Sequence, residues 1–137
     1  MPIGDPVSAM ANGNIAPYRA IKGDSTKAFR VLQSTDGVTS AGDVCLGIAQ
    51  KGERKDPSNS DGLAAVQGEL IYYFGNGSKD VPAQIGGPVS AFQDLKSDAN
   101  GKLVAATTAG DNVVAVAKQG GILDDIIDVD VTIRDKM

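Results

Sequence analysis

The segment Ala109–Gly120 (AGDNVVAVAKQG) has a near copy earlier in the chain, Ala41–Gly52 (AGDVCLGIAQKG), that aligns with it without a gap. Each copy opens on Ala-Gly-Asp, passes through small and β-branched residues, and closes on Gly after a Lys and a Gln in either order. Gly42 and Gly110 can take positive φ without steric cost, and Asp43 and Asp111 can bond forward to nearby N–H groups. Each pair therefore predicts a turn that feeds a strand. The run Val113–Ala117 lacks polar alternation and is too short for most globular helices, so it predicts a strand covered on both faces. The copies read either as one unit used twice or as a chance match between ordinary turn-strand units in a Gly- and Val-rich chain.

A chain of 137 residues predicts one domain. Aromatic residues make up only 4% and Trp is absent, so the core must come from Val, Ile, Leu and Ala, with a stability that leans on association. The net charge of −4 removes the long-range attraction to phosphate that nucleic-acid binding uses, and the basic cluster Lys51–Lys55 reads as a solvated loop. No nucleic-acid partner is expected. The single cysteine, Cys45, forms no intrachain disulfide; with no histidine in the chain to activate it, it reads as a small buried hydrophobe. Neither a basic-then-apolar leader nor a run of some 18 apolar residues occurs, so neither a secretory signal nor a membrane span is expected.

In chain order, residues 1–17 hold three prolines (Pro2, Pro6, Pro17) and no periodicity, and read as an extended N-terminal arm preceding an all-β domain over 18–137. Tyr18–Lys22 and Ala28–Gln33 predict half-buried strands about a Gly23-Asp24-Ser25 turn. A polar excursion, Lys51–Gly62, precedes Leu63–Val66 and Leu70–Phe74, a predicted strand pair that gathers Tyr72, Tyr73 and Phe74 for the core. Val89–Leu95 fits a strand or a helical turn. Ser97–Lys102 predicts a hairpin turn in preference to a calcium loop, whose later ligands are missing. Leu103–Thr107 follows as a strand. Ile126–Arg134 alternates, with Ile127, Val129, Val131 and Ile133 on one face and Asp128, Asp130, Thr132 and Arg134 on the other. Eight or nine short strands separated by turns predict a single small all-β sandwich or barrel.

Enzymatic chemistry is not expected. Without histidine the chain lacks the usual neutral-pH acid/base group and the commonest metal ligand, and no serine sits in a nucleophile elbow. Asp124, Asp125, Asp128 and Asp130 read as a solvated strand face in preference to a metal or catalytic cluster. No cofactor or metal is predicted. A carboxylate-only hydrolase is the weakest alternative and would need two acids converging in a pocket.

Several features recur in one order: a Thr35-Asp36-Gly37 turn; Ala41-Gly42-Asp43 leading to Leu46–Gln50; Val66-Gln67-Gly68-Glu69-Leu70; and Lys96–Thr107 (KSDANGKLVAAT). Asn112–Ala117 (NVVAVA) and Ile126–Val129 (IIDV) complete the series. This succession resembles the capsid cement, or decoration, proteins of tailed bacteriophages. The resemblance implies a non-enzymatic protein, made in the bacterial host cytoplasm, that binds the outer surface of a mature head and bridges neighbouring capsomers. It implies the major capsid protein as partner and a homo-oligomer, a trimer first and a dimer second, with no membrane. The arm would then lie on the shell, with Pro2, Ile3, Pro6, Val7, Ile15 and Pro17 as candidate contacts. A β-structured tail or fibre module, with or without glycan binding, is the alternative.

Overall fold

The computed structural model describes residues 6–23, 30–33, 45–52, 63–107 and 112–135. Its first strand is one the prolines argue against. Val7–Ala11 (β1) pairs with Arg30–Gln33 (β3) in parallel and with Leu70–Gly75 (β5) antiparallel. Ala20–Gly23 (β2) and Cys45–Gly52 (β4) complete a closed barrel of order β3-β2-β4-β5-β1. Residues 7–17 are thus built into the barrel and do not extend from it as an arm. Pro6 and Pro17 flank β1 without interrupting it, so its N–H groups stay available for pairing, and Ser8, Ala9 and Ala11 are too small to announce a strand.

The lumen is filled by Ala11, Ile15, Ile21, Val31, Ala49, Ala64, Ala65 and Ile71. Small residues suit it, because five strands enclose little space. The predicted strand Leu63–Val66 is only a single bridge, Ala65 to Ile15.

The second half contains Val81–Gln84 (β6), Asp94–Ser97 (β7), Leu103–Ala105 (β8), Asn112–Ala117 (β9) and Ile126–Asp135 (β10). These ten strands, with no helix among the described residues, make the fold all-β. Read from β8, the second sheet runs β8-β7-β9-β10-β6, which is the first order repeated strand for strand. Its ends meet at one parallel bridge, Ile85 to Leu103, where β1 and β3 close the barrel. The Gly86 N–H donates to Leu103 C=O at 2.8 Å as the Asn12 N–H donates to Val31 C=O at 2.9 Å.

The connecting backbone repeats as well. The Ile15–Ala65 and Val89–Gly121 pairs each exchange two hydrogen bonds, and Tyr18 N–H to Ala49 C=O (2.8 Å) is matched by Phe92 N–H to Ala117 C=O (2.7 Å). Glycine 68 N–H to Ala11 C=O (2.8 Å) is matched by Asp124 N–H to Ile85 C=O (2.9 Å). The sequence copies Ala41–Gly52 and Ala109–Gly120 supply β4 and β9, which occupy equivalent places. The molecule is therefore two copies of one five-stranded unit in tandem, and the repeat seen in the sequence is the central part of a longer one.

The halves are joined because one outer wall of the first is apolar. In β2, β4 and β5, Ile21, Ala49 and Ile71 point into the lumen. Their neighbours Ala20, Ile48 and Phe74 form a row on the opposite face, in register with one another, and join the core of the second half. Here β4 is apolar on both faces for a definite reason: one lines a barrel and the other supports a second sheet. The β7–β8 hairpin clasps this junction. Ala20 N–H donates to Gly101 C=O (2.8 Å), and Arg19 Nη1 and Gln33 Nε2 both donate to Asn100 C=O (2.8 and 2.7 Å). Gly101 has φ +77 and packs against Gln33, Ala20 and Arg19, so a side chain there would meet both backbone strain and the first half.

Candidate functional site

Four turns of one design enter strands β2, β5, β7 and β10: residues 15–20, 65–70, 89–94 and 121–126. Their left-handed residues are Tyr18 (φ 64), Gly68 (φ 88), Phe92 (φ 65) and Asp124 (φ 71). In three of them the fourth turn residue reaches back to the first: Glu69 Oε1 accepts from Val66 N–H (2.9 Å), Gln93 Oε1 from Ser90 N–H (3.0 Å) and Asp125 Oδ2 from Ile122 N–H (3.0 Å). In the remaining turn Arg19 holds that place, and Gln33 Oε1 accepts the Ala16 N–H (2.9 Å) instead. These bonds hold a type II geometry that favours glycine at its third position.

Within each half the two turns are bonded to each other. The pair in the first half is covered at Tyr18, whose C=O accepts from Gln84 N–H of the second half at 2.9 Å. Among the described residues the pair in the second half has no such cover, and it carries large apolar side chains: Phe92, Ile122, Leu123 and Ile126 are 77%, 66%, 59% and 51% exposed. A bulky aromatic held in left-handed backbone and facing water combines two unfavourable terms, about 1–3 kcal/mol of strain among them. Such positions persist where they serve a contact. We call this end of the molecule the crown.

Charges rim the crown. Lys102 Nζ lies 2.6 Å from Asp124 Oδ1. Farther along β10, Lys118 bridges Asp80 (3.2 Å) and Asp130 (3.6 Å), and its ammonium is held above the ordinary lysine value by the hydrogen bond to Asp80 and by the charge of Asp130. The acids expected on a solvated face are thus distributed: Asp124 and Asp130 pair with lysines, Asp125 closes a turn, and Asp128 faces water. Among the described residues no three His, Cys, Asp or Glu side chains converge as metal ligands.

Of the residues expected to contact a shell from an arm, four lie among the described residues. Ile15 is fully buried in the first barrel and Pro17 is half-buried, which removes Ile15 from any contact; its apolar side chain was needed in the lumen. Pro6 and Val7 are exposed at the start of β1, and Pro2 and Ile3 lie outside the described residues. The Cys45 side chain, the polar excursion from 53 to 62 and the turns at 24–25, 35–37, 42–43 and 110–111 also lie outside them. Of the aromatic run, Phe74 packs between the halves and Tyr73 against the first lumen, but Tyr72, on the same outer face as Phe74, is exposed. Sequence reading missed the crown because Phe92, Ile122 and Leu123 lie in turns. The signal available was the match of IAPYRAIKGD (15–24) with VSAFQDLKSD (89–98), which pairs Tyr18 with Phe92.

No protein-family model matches the chain, and no curated protein sequence matches it. Among solved structures it is similar to the head fiber gp8.5 N base in bacteriophage phi29, at a TM-score of 0.62 and 12% identity, covering 100% of this chain and 98% of that one. At that identity the likeness is one of fold, and it extends from end to end.

Proposed function

We propose that this chain is a non-enzymatic structural protein of a phage head, docking on the outer surface of the assembled shell through the crown and bridging neighbouring capsomers as a cement protein. The observation that carries the reading is the end-to-end fold likeness to a phage head-fiber base, which covers both five-stranded units. The crown supplies a chemistry for it. Phe92, Ile122, Leu123 and Ile126 offer apolar anchors, and the adjoining carboxylates of Asp124 and Asp125 suit a capsid-protein surface with an apolar depression and a basic rim. Modest contacts of this size become strong when repeated over a symmetric lattice.

Purified heads lacking the protein test this directly. Saturable co-sedimentation and symmetric added density on the outer surface are expected. Phe92→Asp with Leu123→Asp should weaken attachment at least about tenfold, given roughly 1.5–3 kcal/mol for burying each large apolar side chain. No attachment by the native chain, or unchanged attachment by this variant, would overturn the reading. A second reading, the base of a head fibre, is favoured by the same structural likeness. Heat release of packaged DNA separates them: a cement protein delays it, whereas a fibre base binds without changing it.

A further inference from the structure

The tandem repeat provides an internal reference, since each surface of the unit occurs twice. On the outer face of the β1–β5 pair, Ser8 lies opposite Tyr72 and Met10 opposite Leu70. Ser8, Leu70 and Tyr72 are exposed, Met10 is half-buried, and Val7 is exposed at the end of the pair. Neither strand, VSAMA or LIYYFG, carries a charged residue. The equivalent pair in the second half is β6–β10, where Pro82 lies opposite Asp128 and Gln84 opposite Ile126. There, the place of Tyr72 is taken by Asp128, which faces water. The same position in the same sheet thus carries a carboxylate in one half and an aromatic in the other.

We propose that this uncharged face of β1 and β5 binds the same face of a second copy of the chain. Charge selects the occupant. The chain carries a net −4, so two copies repel each other except where a surface is without carboxylates. The crown is less suited: Asp124 is paired with Lys102, but Asp125 is exposed there and two crowns would bring two Asp125 carboxylates together. Among the described residues the β1–β5 face, with no carboxylate in either strand, does qualify. It combines Met, Leu and Tyr, the residue types that suit interface cores, and its Ser8 and Tyr72 hydroxyls each donate and accept, so they can bond to their own kind across a two-fold axis. Arg30, in register with Met10 on β3, borders the face from one side. Four side chains cover far less than the roughly 800 Å² per partner of a standard interface, so the pair is weak in solution and gains strength when copies are held side by side.

This inference does not depend on attachment to a head. Analytical ultracentrifugation of the full chain from about 10 µM to 1 mM spans the range for such a contact, and a reversible monomer–dimer equilibrium is expected. Tyr72→Glu and Tyr72→Lys should each weaken it at least tenfold with the urea midpoint unchanged, and a one-to-one mixture of the two should associate again. A native chain that stays monomeric throughout, association that persists unchanged in both variants, or a trimer insensitive to them would overturn the proposal. Failure of the mixture to associate would overturn the same-face geometry. Loss of head attachment by Tyr72→Lys with self-association intact would assign the face to the head instead.

Discussion

One row of three residues separates the halves. In the first, the outward positions of β2, β4 and β5 are Ala20, Ile48 and Phe74; in the second, the same positions on β7, β9 and β10 are Asp94, Val116 and Asp130. Strand order, turns and backbone hydrogen bonds are shared, so the difference does not come from topology. It comes from what each wall faces. The first row is covered by the second half, while in the second row Asp130 pairs with the exposed Lys118. A repeated unit needs a polar outer surface where it meets water, and the second copy has one.

The sharpest way to break the comparison is Phe74→Ala. Removing the aromatic from between the halves should destabilise the protein by about 3–5 kcal/mol, whereas Asp130→Ala, its counterpart, should change stability by less than about 1 kcal/mol as a surface pair. Equal effects in urea unfolding would refute the assigned roles of the two walls. Next comes Gly47→Ala. A Cβ there would run into the Phe74 backbone carbonyl, although the equivalent β9 position already carries Ala115; a loss of about 1–3 kcal/mol is expected from overpacking, against roughly 0.5–1 kcal/mol for Ala115→Gly.

Phe92→Gly sharpens the comparison between the turns. It relieves left-handed strain of about 1–3 kcal/mol, so thermal stability should hold or rise while head attachment falls; a loss of both would make Phe92 a packing residue. The smallest effect concerns Lys118. Because its folded-state value is raised, the pairing with Asp80 and Asp130 contributes fully below the unfolded lysine value near 10.5 and is lost as pH rises through the higher folded value. A pH titration of the urea midpoint should show a small alkaline decline in the native chain that Lys118→Ala abolishes.

Much of the second half was legible in the sequence. The β10 alternation holds from Ile127 to Val131, where one face packs on the core and the other is turned outward, before the register shifts between Val131 and Arg134, and the Ser97–Lys102 turn forms as expected, with Asp98 Oδ1 accepting from Asn100 and Lys102 N–H groups. The all-β class followed from these signals. The first half was harder. Strand β1 is short and poor in large residues; in the second half only β6 was comparably hidden, since it contains Pro82, tolerated because β6 is an edge strand. The parallel closure of β1 on β3 has no local signature at all. The full extent of the repeat was hidden by exchanges of like for like, Ile15 for Val89, Tyr18 for Phe92 and Ile21 for Leu95, which keep the physics and erase the identity. The crown was illegible for another reason: an apolar residue in a turn tells nothing of its exposure until the turn is placed.

The neighbours of β1 also set an order of events during synthesis. Of the ten strands, β1 leaves the ribosome before the others and has β3 and β5 as its partners, so it cannot be fully placed until Gly75 has emerged, and the apolar row of β2, β4 and β5 stays bare until Val131 follows. Contacts so distant along the chain slow folding and leave nascent copies adhesive to one another. Production of this protein in a cell should therefore respond to translation speed and to chaperones far more than its small size suggests.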